Sequence, residues 1–153
     1  MTDYELLCAQ AHALIDGVPH RTANLANVSA LLYDALPQLN WAGFYLREGE
    51  KLVLGPFQGK PACIELPMGG GVCGTAAAKD ETLCVYDVHA FPGHIACDSA
   101  SNSEIVVPLH GGSGNVVGVL YLDSPVIGRF DARDQAGLEA FARVLERALF
   151  AED

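Results

Sequence analysis

Three cysteines of this chain adjoin breaks in regular structure, where a thiol has room to react. Cys97 lies in a polar stretch over residues 87–104 that contains a Pro-Gly break, and Cys63 and Cys73 each adjoin a run rich in glycine or proline. Such loops, held by a rigid scaffold, often carry function. Redox exchange uses more than one thiol, so the three cysteines fit it better than a cysteine hydrolase, which needs one. Burial as small apolar residues is the alternative for each of them.

The other two cysteines and the loop histidines are predicted to have structural roles. Cys8 falls on an apolar helical stripe and Cys84 inside a short apolar run, so both are expected to pack in the interior. His89 and His94 are interpreted as hydrogen-bonding supports of the loop rather than as ligands or bases. No Cys-x-x-Cys pair is present, so a zinc site would need residues from distant parts of the chain.

Two carboxylates and two aromatic residues are candidates for binding a small molecule. Glu104 and Asp123 each flank a predicted strand, and they are either solvated strand ends or pocket walls. Carboxylates that converge in a pocket would hold an ammonium group or, with a raised pKa, supply a proton. Trp41 and Tyr45 are either core residues or the walls of a pocket for an apolar ligand group.

Four helices are predicted from apolar spacing and capping residues. The first follows a capping box of Thr2 and Glu5, and the second spans residues 22–36. A third follows three glycines and places Cys73 in its first turn, where the helix dipole favours a thiolate. Asp131 caps the last helix. The apolar residues expected on the buried faces of the first and last helices are Leu6, Leu7, Ala11, Leu14 and Ile15, and Leu138, Phe141, Ala142, Leu145 and Leu149.

Short strands fill the middle of the chain. Residues 41–46 and 51–54 form one predicted hairpin, and residues 104–109 and 116–122 form another. Further strands are expected at 62–66, with Cys63 and Glu65 on one face, and at 83–86. Helices at both ends of a mostly antiparallel middle predict one α+β domain over residues 1–153. The terminal helices would cover one sheet face and leave the other for loops and a ligand.

Charge and hydropathy exclude several functions. The formal net charge is -10, which argues against nucleic acid as a partner. No apolar run approaches the roughly 20 residues of a spanning helix, and the N-terminus lacks the basic start of a signal peptide. We therefore expect a cytoplasmic protein without a membrane partner. The glycine cluster before Cys73 lacks the Gly-Lys-Ser/Thr ending of a phosphate-binding loop, and no Gly-x-Ser-x-Gly motif is present.

Several motifs together resemble one enzyme family, the free methionine-R-sulfoxide reductases, which are built on a GAF-type domain. The motifs are Gly-Pro-Phe-Gln-Gly-Lys-Pro-Ala-Cys63, Gly-Val-Cys73-Gly-Thr-Ala, Asp87-Val-His89, and Gly-His-Ile-Ala-Cys97-Asp-Ser-Ala-Ser-Asn-Ser-Glu104-Ile-Val. The resemblance extends from Trp41 to the last helix. It implies a GAF-like α+β fold with the ligand pocket under loops.

The resemblance also assigns roles to residues. It makes Cys97 the nucleophile, Cys63 its partner in a disulfide, and Cys73 a second resolving cysteine. The reaction it implies leaves a sulfenic acid on the nucleophile, which condenses with a second thiol. An external dithiol such as thioredoxin then restores the thiols, so no bound cofactor and no metal are expected.

The implied substrate pocket uses the aromatic and acidic candidates. Trp41 and Tyr45 match residues around the methylthio end of the substrate, and Glu104 and Asp123 match the carboxylates of the family. Where the family pattern has two acids spaced Asp-x-Asp, this chain has Tyr121 before Asp123. A homodimer is an arrangement that GAF analogy allows. The competing hypothesis is a GAF module that binds a small molecule or senses redox state without catalysis.

Overall fold

The computed structural model describes residues 1–153 as four α-helices around one sheet of six strands. The helices are α1 (Tyr4–Ile15), α2 (Arg21–Ala35), α3 (Gly71–Lys79) and α4 (Ala132–Leu149). The strands are β1 (Trp41–Glu48), β2 (Lys51–Gly59), β3 (Glu65–Pro67), β4 (Leu83–Val85), β5 (Ser103–His110) and β6 (Val116–Ser124). Between β4 and β5 lie residues 86–102, which contain one short 3-10 turn and are called the Cys97 loop below.

All strand pairs of the sheet are antiparallel, in the order β3-β2-β1-β6-β5-β4. Both predicted hairpins, β1 with β2 and β5 with β6, are present. Strand β2 continues through Gly59, beyond its predicted end at residue 54, and a bulge in β2 places Gly55 and Pro56 opposite the single β1 residue Phe44. The two central strands, β1 and β6, join the hairpins.

Strand β3 is shorter than predicted. It pairs with β2 only from Glu65 to Pro67, so Cys63 lies in the connection before it. The prediction that Cys63 and Glu65 share a strand face is therefore wrong. A connecting segment leaves Cys63 free of a strand register and able to meet a residue from another part of the chain.

The terminal helices cover one face of the sheet, as predicted. Alternate strand residues, including Phe44, Ile105 and Leu120, form one buried core with the apolar stripes of α1, α2 and α4. The predicted stripe of α4 is buried along its whole length. Asp131 caps this helix, and Asp131 and Asp134 form a reciprocal capping box.

Helix α1 differs from its prediction at both its cap and its stripe. Asp3, not Thr2, is the N-cap, and its side chain accepts a hydrogen bond from the Leu6 backbone N–H. Leu6 and Leu14 are exposed, because the helix packs against α4 along a narrower stripe that contains Leu7.

Helix α3 packs on the opposite sheet face, where a second buried core contains Trp41, Tyr45 and Tyr121. Gly74 permits the close approach of this helix to the end of β3, since an added Cβ would lie 2.2 Å from the Pro67 carbonyl oxygen. The first turn of α3 thereby lies beside the Cys97 loop. None of the helices is both long and apolar enough to span a bilayer.

Candidate active site

A disulfide joins Cys63 to Cys97 on the sheet face away from the terminal helices. Cys63 comes from the connection between β2 and β3, and Cys97 comes from the Cys97 loop, 34 residues later. The resemblance implied this pairing. The disulfide ties two irregular segments together, and Tyr45 holds one of them, because its hydroxyl donates a hydrogen bond to the Cys63 carbonyl oxygen at 2.7 Å.

Cys73 lies in the first turn of α3 with a free, buried thiol. It lines the same cavity as Cys97. The expectation that the helix dipole favours a thiolate at Cys73 is wrong, because burial raises the pKa of this thiol and the nearby carboxyl groups of Glu104 and Asp123 raise it further. Cys73 is therefore a protonated thiol at neutral pH.

Glu104 and Asp123 are brought together by the sheet. They are direct partners in the register of β5 and β6, and both are buried on the face of the disulfide. Burial raises the pKa of Glu104 to about 7. Burial also raises the pKa of Asp123, and the neighbouring charge of Glu104 adds to the effect. Near neutral pH the two carboxyl groups therefore hold a proton that an ordinary acid would have lost.

Tyr121 connects the two carboxyl groups, a role that sequence reasoning missed. Its hydroxyl donates to Asp123 Oδ2 at 2.6 Å and lies 3.2 Å from Glu104 Oε1. Tyr121 precedes Asp123 by two residues on the same strand, so strand periodicity places both side chains on one face. That spacing was the available signal. The position where the family pattern has an acid thus carries a hydroxyl that binds the remaining acids.

Asp123 keeps one oxygen without a partner. Its Oδ2 accepts hydrogen bonds from Tyr121 and, at 2.8 Å, from the Ser101 hydroxyl. Its Oδ1 is buried and has no hydrogen-bond partner. Because an unsatisfied buried carboxylate oxygen is costly, this atom is a candidate acceptor for a ligand donor.

The aromatic candidates form a stacked cluster beside the carboxyl groups. The ring centroid of Trp41 lies 5.0 Å from that of Phe57, 5.0 Å from that of Tyr121 and 6.1 Å from that of Tyr45. The Trp41 indole N–H donates to the Lys60 carbonyl oxygen, which fixes the chain that leads to Cys63. Tyr45 reaches the cavity beside the disulfide, whereas Trp41 lies behind it in the cluster.

The cavity at the disulfide is small and mostly apolar. Its polar or reactive lining side chains are Tyr45, Cys73, Cys97, Glu104 and Tyr121. The cavity volume is about 10 Å³, the space of a single water molecule. A larger cleft of about 380 Å³ lies near the start of α4, but it contains no cysteine. The reactive groups thus converge at the smaller cavity.

Side chains anchor the Cys97 loop to the sheet. Asn40 donates to Asp98 Oδ2 and to the Ser101 hydroxyl, each at 3.0 Å. His89 bonds Asn102 within the loop, as expected of a loop support. His94 differs, because its Nε2 lies 2.9 Å from Glu104 Oε1. The interpretation of His94 as a loop support alone is therefore incomplete, since it contacts a candidate acid.

The two remaining cysteines lie away from the site. Cys8 is partly buried against the helical core, as predicted. The prediction of burial is wrong for Cys84, which is exposed on the edge strand β4. Its thiol donates to the Phe130 carbonyl oxygen at 3.2 Å. No group of three or more His, Cys, Asp and Glu side chains has an arrangement that would hold a metal ion.

Comparison with known proteins gives the same assignment as the motifs. The GAF domain family matches residues 22–149. The chain is 54% identical to the free methionine-R-sulfoxide reductase of Escherichia coli over 142 residues, which cover 93% of this chain and 86% of that protein.

Two solved structures are close in fold. The reduced form of fRMsr from Staphylococcus aureus has a TM-score of 0.94 and 52% identity, over 97% of this chain and 96% of that chain. The free methionine-R-sulfoxide reductase from Neisseria meningitidis, solved in complex with its substrate, has a TM-score of 0.92 and 44% identity, over 95% of this chain and 87% of that chain. The chain therefore belongs to the free methionine-R-sulfoxide reductase family of GAF-domain proteins.

Proposed function

We propose that this protein reduces free L-methionine-(R)-sulfoxide to methionine, with Cys97 as nucleophile, Glu104 as proton donor and Cys63 as resolving thiol. The observation that carries the proposal is that Cys97, disulfide-bonded to Cys63, lines the same cavity as the buried Glu104. The activity of the E. coli relative agrees with it.

The first step transfers oxygen from the substrate to Cys97. The Cys97 thiolate attacks the sulfoxide sulfur, and the proton of Glu104 passes to the sulfoxide oxygen. The oxygen then moves to the Cys97 sulfur: the substrate sulfur–oxygen bond and the transient sulfur–sulfur bond break as a new sulfur–oxygen bond forms, which leaves Cys97 as a sulfenic acid and releases methionine. The sulfur of Cys97 is thereby oxidised by two electrons and the sulfur of the substrate is reduced by two.

The second step forms the disulfide. The Cys63 thiol attacks the sulfenic sulfur, and the departing hydroxyl takes the thiol proton and leaves as water. Cys63 is favoured over Cys73 for this step because the structure already contains its bond to Cys97. Cys73, whose raised thiol pKa lowers its reactivity, remains a second thiol within the same cavity.

Recognition of the free amino acid uses the acidic part of the site. Asp123 Oδ1, buried and without a partner, accepts a hydrogen bond from the substrate ammonium group in this proposal. A methionine sulfoxide inside a peptide has no such ammonium group and is rejected. Tyr45 supplies apolar surface for the methylthio end at the cavity, and Trp41 supports it from behind by stacking on its ring.

Substrate entry requires the disulfide to open. A cavity of about 10 Å³ is far too small for an amino acid, so the described disulfide form is the state after catalysis. Reduction releases the Cys97 loop from Cys63, while the hydrogen bonds to Asn40 keep the loop near the sheet. The loop then has freedom to make room for the substrate.

The reductant in this proposal is a dithiol protein of the thioredoxin type. Both disulfide cysteines are partly exposed, so an external thiolate can reach the bond. The proposal places the enzyme in the cytoplasm, where such reductants keep thiols reduced. The reaction needs no bound cofactor, because the electrons come from the thiols. The homodimer stays a prediction, which sedimentation analysis tests.

The test is NADPH consumption coupled through thioredoxin and thioredoxin reductase. We expect turnover with free methionine-R-sulfoxide and none with the free S-isomer or with the R-sulfoxide inside an N-acetylated peptide. Loss of all stereochemical preference, or equal turnover of the peptide, would overturn the proposed substrate. Binding of the sulfoxide without NADPH consumption would instead favour a GAF module without catalysis.

A further inference from the structure

Glu104 is nearly inaccessible to water. In the proposed function, on which this inference rests, it donates its proton at each turnover. Its side chain is only 4% exposed, and it lies under the Cys97 loop on the buried face of β5. A carboxyl group that has given up its proton must regain one before the next substrate reacts. In the disulfide form, where the Cys97 loop covers Glu104, the site therefore needs a route from solvent to this carboxyl group.

His94 spans the distance between the solvent and Glu104. Its Nε2 lies 2.9 Å from Glu104 Oε1, within hydrogen-bonding distance. Its side chain is 14% exposed, more than three times the exposed fraction of the Glu104 side chain. His94 also belongs to the Cys97 loop, three residues before the disulfide cysteine. The imidazole thus contacts the acid while its own edge reaches the surface.

The other hydrogen-bonded route out of the acidic pair does not carry protons. It runs from Asp123 through the Ser101 hydroxyl to the side-chain amide of Asn40. An amide donates hydrogen bonds but does not exchange its protons readily at neutral pH. Tyr121, the remaining contact of both acids, is itself buried. Of the groups that touch Glu104, only His94 is both titratable and partly exposed.

We propose that His94 returns a proton from solvent to Glu104 between turnovers. The Nε2–H bond of His94 breaks as an O–H bond forms on Glu104, and the imidazole takes a replacement proton from water at its other nitrogen. The step transfers a proton and no electrons, and it balances the proton released when the Cys97 thiol becomes a thiolate. His94 acts on the substrate only through Glu104, so it is a positioning residue.

Burial favours transfer in this direction. Burial lowers the pKa of His94, the nearby Asp123 on β6 raises it, and the neighbouring His89 lowers it, with a net decrease. The pKa of Glu104 is raised to about 7 by burial. The two shifts act together, because the lowered pKa of His94 disfavours a proton on the imidazole and the raised pKa of Glu104 favours one on the carboxyl group.

The test follows the Glu104 carboxyl band by time-resolved infrared spectroscopy in a single turnover. Reduced full-length enzyme is mixed with one equivalent of free methionine-R-sulfoxide, and Glu104→Gln identifies the band. In the wild type we expect fast recovery of the band after methionine forms. In His94→Gln, whose amide keeps a hydrogen bond but cannot relay a proton, we expect recovery to slow about 100-fold. Added imidazole restores the fast recovery.

The matched control is His89→Gln, which alters the other histidine of the same loop, and it should recover at the wild-type rate. Circular dichroism and methionine yield in the first turnover verify that both variants fold and react. Wild-type recovery in His94→Gln, or slow recovery that imidazole does not change, would overturn the relay. A wild type that forms no methionine would overturn the proposed function instead, so the two failures are distinguishable.

Discussion

Glu104 and Asp123 face each other across β5 and β6, and the antiparallel register alone fixes this pairing. Two carboxyl groups in one buried site cannot both ionise cheaply, because each charge opposes the other in a medium that screens poorly. The fold thereby keeps a proton available near neutral pH in the cavity of Cys97, the proposed nucleophile. The acid and the thiol together are what the proposed reaction requires.

Replacement of the buried acid is expected to stabilise the protein at alkaline pH and to remove its activity. The pKa of Glu104 is about 7 in the folded protein against an ordinary 4.5. Between these two pH values the folded state therefore binds more protons than the unfolded state. The contribution of Glu104 to the free energy of unfolding is complete below pH 4.5 and is lost as pH rises through about 7. Glu104→Gln has no such titration. Its free energy of unfolding minus that of the wild type should therefore be about 3 kcal/mol larger at pH 8 than at pH 4. Urea unfolding at the two pH values measures the difference. The same difference between variant and wild type at both pH values would contradict a raised pKa for Glu104.

In Tyr121→Phe, the single-turnover rate is expected to fall at a higher pH than in the wild type. The Tyr121 hydroxyl, which lies within hydrogen-bonding distance of both acids, lowers the pKa of Glu104 and of Asp123. Removal of the hydroxyl raises the pKa of the donor acid, so Glu104 stays protonated to higher pH. Because such a hydrogen bond is worth about 1 kcal/mol, the pH at which the rate falls should move by about half to one pH unit. The single-turnover rate against pH measures it.

Tyr45→Phe is the matched control for this change. It removes a hydroxyl from the same aromatic cluster, but that hydroxyl bonds the Cys63 carbonyl oxygen rather than an acid. Its rate should fall at the same pH as that of the wild type. Equal shifts in both variants would mean that Tyr121 acts through packing rather than through its hydroxyl.

The two candidate resolving cysteines are expected to behave differently. Cys63→Ser should still form one methionine per enzyme but then hold a sulfenic acid on Cys97, which dimedone labels and mass spectrometry detects. Cys73→Ser should retain most of the thioredoxin-dependent rate, because Cys73 is not bonded to Cys97 in the disulfide form. The reverse pattern would make Cys73 the resolving thiol.

The cap of α4 is expected to matter for stability and not for catalysis. Asp131 Oδ1 accepts from the Asp134 backbone N–H at 2.8 Å, and Asp134 Oδ2 accepts from the Asp131 N–H at 3.0 Å. Asp131→Ala should cost about 1 kcal/mol of unfolding free energy, with an unchanged reaction rate. Thr2→Ala is the control, since Thr2 is not the cap of α1, and its unfolding midpoint should stay at the wild-type value. A loss of activity in Asp131→Ala would contradict the separation of the two sheet faces.

The regular parts of the fold could be predicted because their patterns are strong. The buried stripe of α4 and the two hairpins follow from a spacing of apolar residues that continues along the whole helix or strand. The edge segment around Cys63 could not, because β3 has three residues and a strand that short carries no reliable alternation. The predicted burial of Cys84 is wrong for a related reason, because one face of a short edge strand can stay exposed even within an apolar run of residues.

The sequence predicts which residue types form the site, but only some of the contacts between them. The cysteines and acids stand out by chemistry and by their resemblance to a family pattern. Tyr121 resembles an ordinary strand residue, and its role depends on which acids lie across the sheet. The contact of His94 with Glu104 depends on how an irregular loop folds back, which no periodicity encodes. Both contacts are tertiary, so local sequence signals could not reveal them.

The central claim is that reduction of one sulfoxide oxidises Cys97 and Cys63 together. Its most direct measurement is peptide mapping by mass spectrometry after fully reduced enzyme reacts with one equivalent of free methionine-R-sulfoxide. We predict one equivalent of methionine, a disulfide between Cys63 and Cys97, and free thiols at Cys8, Cys73 and Cys84. Methionine formed while Cys97 remains a free thiol, or a disulfide that leaves out Cys63, would contradict the account.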